Sequence, residues 1–156
     1  MSNTSDKHLH IVSFDIPYPA NYGGVIDVFF RIKALSERGV KIHLHCFEYG
    51  REHSEYLESL CYSVNYYKRE TKVTKLFNSK PYIVCSRDCD NLMENLLKDD
   101  YPILLEGLHC CAVLTHEEFK ERNIIVRAHN IEHEYYEHLA MAEVDSKKRL
   151  YLKQEV

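Results

Sequence analysis

The stretch from His8 to Phe47, HLHIVSFDIPYPANYGGVIDVFFRIKALSERGVKIHLHCF, decides the fold. Its first seven residues, His8 to Phe14, form an apolar run of strand length. Asp15 to Gly24 follows with two prolines and two glycines, a composition that forbids regular structure and predicts a loop. Val25, Val28, Phe29, Ile32 and Leu35 then recur at helical spacing. Gly39 supplies a left-handed C-terminal cap where that pattern stops. Val40 to Phe47 alternates and predicts a second strand. Strand, glycine loop, helix and strand make a βαβ unit, whose crossover is right-handed.

Downstream, the pattern predicts a helix over 52–60, a strand over 62–67 and a short amphipathic helix over 71–77. Pro81 breaks the chain. A helix over 86–98 places Leu92, Met93, Leu96 and Leu97 inside. Pro102 to Glu106 reads as a buried strand, Cys110 to Leu114 as a short helix and Asn123 to Arg127 as another buried strand. From Ile131 onward there is no glycine or proline, which predicts one long helix to Val156. Strands alternating with helices imply an α/β, Rossmann-like domain, with a mostly parallel sheet and helices on both faces.

The chain has 156 residues, 45 % hydrophobic and 28 % charged, as expected of one globular domain. Its net charge of −4 argues against a nucleic-acid partner. The longest cationic cluster, Lys147-Lys148-Arg149, fits the solvated side of a helix. There is no run of 18 apolar residues and no apolar signal-peptide centre, so a cytoplasmic location is expected. Residues 1–7 read as a disordered lead-in, and the uncapped end of the last helix reads as a cut before a further domain. The six cysteines lack a paired C-x-x-C framework and are expected as thiols.

Ligands of such sheets bind at the carboxyl ends of strands, which selects three loops. The first ends in Gly23-Gly24 at a helix start, where backbone amides can approach an anion. A plain tight turn explains the same pair. The second is Glu106-Gly107-Leu108-His109. Its carboxylate and histidine suit acid/base or hydroxyl-binding work, against the simpler reading of a solvated Glu and a His packed under the loop. The third runs from Arg127 through His129, Asn130 and Glu132 to Tyr136. Asn130 can cap the following helix, and Glu132 and Glu134 complement its dipole. His129 to His133 also spells H-x-x-E-H, an inverted zincin pattern with Glu132 as base. That reading is disfavoured because a zinc hydrolase needs a further ligand well downstream and only 23 residues follow His133. His129 also falls in the loop.

Pro17, Pro19, Gly23-Gly24, Arg31, Leu35 and Arg38-Gly39-Val40 before a hydrophobic strand resemble the opening of family 4 glycosyltransferases of the two-domain GT-B type. Val40 stands where that family usually has histidine. Leu105 to His109 and Val126 to Glu132 are similar to bacterial sugar transferases of the same group. Residues 50–100 carry no resemblance. The resemblance implies the N-terminal, acceptor-side half of an enzyme whose C-terminal half binds a nucleotide sugar. It implies transfer with retention, without an essential metal or other cofactor, to a glycan or lipid-linked acceptor, with peripheral contact at the inner membrane face in the latter case. By position, Gly23 and Gly24 would approach the donor phosphates, and His109 or His129 would face the reacting sugar. Glu106, Arg127, Asn130 and Glu132 would orient acceptor or donor groups. A non-catalytic Rossmann-like binding domain is the alternative.

Overall fold

The computed structural model describes residues 7–71 and 80–156. The expected helix over 71–77 lies outside the described residues, apart from Thr71, and so does the lead-in, apart from Lys7. Five strands form one all-parallel sheet: β1 (His8–Ser13), β2 (Lys41–Glu48), β3 (Ser63–Lys68), β4 (Ile103–Glu106) and β5 (Ile124–Arg127). Their order is β3-β2-β1-β4-β5, which makes β1 central.

Helix α1 (Gly23–Glu37) buries Val25, Val28, Phe29 and Ile32, the apolar stripe expected from the sequence. It ends in a Schellman motif. Gly39 at φ +79° donates its amide to the Ser36 carbonyl, and the Val40 amide turns back to Leu35. With α2 (Glu55–Leu60), capped by the Ser54 hydroxyl, it covers one sheet face through Ile11, Ile42, Leu44, Leu57 and Leu104. Helix α4 (Asp90–Leu96) and two 3-10 segments, Leu108–Thr115 and Glu117–Phe119, cover the other through Val12, Phe47, Leu92, Leu105 and Val113.

Four expectations need correction. The helix expected over 86–98 is shortened to α4, with a separate short helix, α3 (Tyr82–Cys85), before it and Arg87 drawn inward between them; Leu97 lies beyond the last turn and is 46 % exposed. The short helix over 110–114 is a longer 3-10 segment. Strand β5 is not buried: as the edge strand it leaves Ile125 55 % and Val126 37 % exposed. The long terminal helix is broken into α5 (Glu132–Ala142) and α6 (Ser146–Gln154). The break needs no glycine or proline. The Glu143 carboxylate accepts the amides of Val144 and Asp145, and the Asp145 carboxylate caps α6 by accepting those of Lys147 and Lys148. Tyr136, Ala140 and Leu152 of this pair pack on Ile83, whereas Met141, Val144 and Leu150 face solvent.

A polar chain runs across β3, β2 and β1 inside the α4-side core. Asn95 donates to the Tyr67 phenol (2.8 Å), which meets His45 Nδ1 (2.8 Å). His45 Nε2 meets His10 Nδ1 (2.9 Å), and His10 Nε2 meets Asp99 (2.9 Å). One set of neutral tautomers lets every member donate once in the same direction, ending on the carboxylate. Burial first, then the neighbouring histidines, pushes His45 down to about 3. The folded chain therefore holds fewer protons than the unfolded chain between about pH 6.5 and 3. Stability is full above that window and falls as pH drops through it, by up to about 1.4 kcal/mol per pH unit for each such histidine. Thermal unfolding followed against pH checks this. His45→Gln, which keeps hydrogen bonding but does not titrate, is expected to reduce the acid slope by about one proton.

Candidate functional site

The chain runs outward from β1 through β2 and β3 and then returns to pair β4 on the other side of β1, so the carboxyl ends of β1 and β4 frame a crevice. A cleft of about 440 Å³ opens there. Phe14 and Asp15 after β1, His109 after β4, His129 and Asn130 after β5, and Gly24 of α1 contribute to its wall.

Register places Ser13, Glu106 and Arg127 side by side in the last row of the sheet. Glu106 is fully buried and turns toward α1, as Leu104 does one step earlier in the alternation. There α1 presents Asp27 and Arg31, one turn apart and paired with each other. Arg31 Nε lies 3.3 Å from Glu106 Oε1, and Arg127 Nη1 lies 3.4 Å from Oε2. Arg127 also pairs closely with Asp27. His129 Nε2 is 3.1 Å from Glu106 Oε2, though not aligned for a hydrogen bond. One ligand atom each from Asp27, Glu106 and His129 lies within 4.8 Å of the others, a grouping a cation could bridge. Arg31 and Arg127 already bring two positive charges to the two carboxylates, so the charge a divalent ion would supply is in place.

Gly107 separates this network from His109. Its φ of +85° and ψ of 155° lie in a region essentially restricted to glycine. The turn it makes brings both histidines against Phe14, with ring centroids 5.4 Å (His109) and 5.7 Å (His129) away. Burial, and then the positive charges of Arg87 and Arg69, push His109 down to about 3, so its imidazole is neutral near pH 7. Its Nδ1 is buried without a hydrogen-bond partner. Across the cleft, Asp15 accepts from the Ile16 amide and the Tyr22 hydroxyl, both at 2.8 Å. Burial raises the Asp15 carboxyl against those bonds.

The structure therefore gathers Glu106, Arg127 and His129 into one network, with His109 beside it. Gly24 also reaches the cleft, and packing favours glycine there: a Cβ would meet the Phe14 ring at 2.8 Å and force it to shift. Gly23 has open space around it and is exposed. Asn130 lines the cleft but does not cap α5, whose N-cap is Ile131 with no side-chain bond. Glu132 opens α5, and its side chain lies outside the described residues. His129 precedes that helix while His133 is exposed on it. Among the described residues the metal-capable group takes His129 without His133, and with His129 ahead of the helix the two do not share a helix face as the H-x-x-E-H reading needs.

Sequence reasoning missed Asp27, Asp15, Arg69 and Arg87. Asp27 and Arg31 read as an ordinary surface pair at i, i+4. Asp15 directly follows a strand, a signal that the strand-end rule could have used.

No protein-family model matches the chain, and no solved structure matches it. Over 148 residues the chain is 32 % identical to a protein of Klebsiella pneumoniae described as an uncharacterized 44.6 kDa protein in the cps region. The match covers 90 % of this chain and 38 % of that relative, so the chain spans about two fifths of the length of the curated protein it matches.

Proposed function

We propose that this chain forms the acceptor-side half of a two-domain, GT-B type sugar transferase acting in bacterial polysaccharide assembly. The observation that carries the reading is the cleft at the β1/β4 crevice, where His129 rests on the Glu106–Arg127 network beside the start of α1. Departure of a nucleoside diphosphate builds negative charge, which the amides at the start of α1 would meet without a metal. His129, backed by Glu106, would offer its ring to a sugar hydroxyl at the reacting centre. Neutral His109 can donate or accept a hydrogen bond from the other side of Gly107. The network itself carries no net charge from its two carboxylates and two guanidiniums, so it would position His129 without competing for an anionic leaving group.

The cps-region description of the relative supports a role in polysaccharide assembly. A protein of that relative's length also has room for the donor-binding half the reading requires. A lipid-linked acceptor would bring the protein to the inner membrane face by peripheral contact; among the described residues no helix is long and apolar enough to cross a membrane.

The test is nucleotide release by the full-length protein offered a panel of nucleotide sugars and candidate acceptors. Release that falls by about a hundredfold in His129→Ala is expected. Release that is indifferent to both His129→Ala and His109→Ala would sink the assignment of this site. No release, with no metal in the purified protein, would favour a non-catalytic binding domain.

A further inference from the structure

Another part of the cleft wall is built around two arginines, Arg69 and Arg87. Arg87 is only 4 % exposed, yet every group it bonds is neutral. Its Nη1 donates to the Ile83 carbonyl at 2.8 Å, and its Nε and Nη2 donate to the Phe14 carbonyl at 3.3 and 3.1 Å. A guanidinium has five N–H donors, so part of its capacity is unspent. Arg69, half-buried, donates through Nε and Nη2 to the Ser86 hydroxyl at 3.2 and 2.9 Å. Both side chains are thus fastened to the same short segment, residues 83–86, and they repel each other. Burial and then Arg69 push Arg87 down to about 10.

Among the described residues, no carboxylate lies within ion-pair distance of either arginine. Asp15 and Glu155 act on them only at longer range, each held by other partners. Two adjacent cations, one nearly buried and neither neutralised, are costly unless an anion joins them. His109 lines the same cleft, with its Nδ1 buried toward Gly107. Tyr49, Tyr135 and Tyr151 line it as well, and the Arg69 guanidinium already lies 4.9 Å from the Tyr49 ring centroid. Aromatic faces beside a cationic centre suit a ligand that is part ring and part anion.

We infer that the cleft binds an anionic sugar, with its oxyanion held by Arg69 and Arg87 and its ring laid against the surrounding tyrosines. Calling this sugar the acceptor rests on the transferase reading above; the binding site itself does not. A volume of about 440 Å³ accommodates one such unit. A phosphate ester and a uronic-acid carboxylate share the required chemistry, since each offers paired oxygens to a guanidinium fork.

The experiment is direct binding to the chain at constant ionic strength, by calorimetry and by thermal shift, with glucose 1-phosphate, glucuronate and glucose as probes. Saturable binding of a charged sugar, with glucose at least about tenfold weaker, is expected. Whichever charged probe binds more tightly identifies the oxyanion. Arg69→Gln is expected to weaken that probe about tenfold, because it removes a charge-assisted bond. Among the described residues Arg69 hydrogen-bonds only the Ser86 hydroxyl, lies beside the Tyr49 ring and is half-buried, so the variant is expected to stay close to the wild-type unliganded melting temperature. Arg69→Lys, which keeps the charge, should retain most of the affinity and covers the case in which the glutamine variant does not fold. Equal binding of glucose, no binding of either charged sugar, or unchanged binding by Arg69→Gln overturns the inference. Because the readout is binding, a failure here is separable from failure of nucleotide release: transfer without charged-sugar binding removes this inference alone, and binding without transfer removes only the enzymatic reading.

Discussion

Replacing Glu106 with leucine is expected to destabilise the chain by about 3 kcal/mol, observed as a lower urea midpoint at unchanged slope. The carboxylate is fully buried and is the point at which Arg31, Arg127 and His129 converge. Removing it leaves two guanidiniums without their shared counter-charge, and the loss of one member of a buried ion pair costs about 3–5 kcal/mol. The lower end applies because the Arg31 and Arg127 side chains are 27 % and 34 % exposed and can draw on water. Glu106→Gln keeps the shape and an acceptor oxygen, so its loss should be smaller. A leucine variant as stable as the wild type would mean that Asp27 alone suffices to hold the arginines.

Gly107→Ala is the second large effect, with a loss of about 1–3 kcal/mol from backbone strain alone. The added Cβ would also sit 3.2 Å from His109 Nδ1 and 3.5 Å from His129 Cδ2. Relief of strain there moves both histidines, so nucleotide release by the full-length protein should fall with stability. Gly23→Ala is the matched control. Its Cβ meets nothing within 4 Å, and it opens α1, where alanine is at least as favourable as glycine. Equal effects at the two glycines would show that the turn at residue 107 is not what holds the histidines.

The βαβ unit was legible because period 3.6 in α1 gives way to period 2 in β2 at a single glycine whose φ is positive, as a cap requires. The strand-end rule then reached Glu106, Arg127 and His129 directly, since register alone puts those strand ends together. What the rule could not reach were partners contributed by helices. Asp27 and Arg31 look like a surface pair until α1 is laid over β4. Arg69 and Arg87 lie 18 positions apart in a stretch with no clear periodicity, and only the fold brings both to Ser86 and Ile83. The apolar run in β5 resembles a buried strand, but position at the sheet edge is a tertiary property. His10 and His45 were hidden for another reason: a histidine within a strand does not show from the sequence which partner it meets, and here both face the core in a hydrogen-bonded series.

The central place of β1 also bears on how the chain assembles. One neighbour, β2, is reached through a single helix, whereas the other pairs His10 with Ile103, across more than half the sequence. The first three strands and their two helices can form from local contacts as a half-sheet, leaving one side of β1 with open backbone groups. That half-sheet is the species most exposed to wrong pairing during synthesis, because β4 leaves the ribosome long after β1. Arrival of β4 closes the edge. In the same event it delivers Glu106 to Arg31, and the ion network then completes when β5 adds Arg127 and His129 at the new edge.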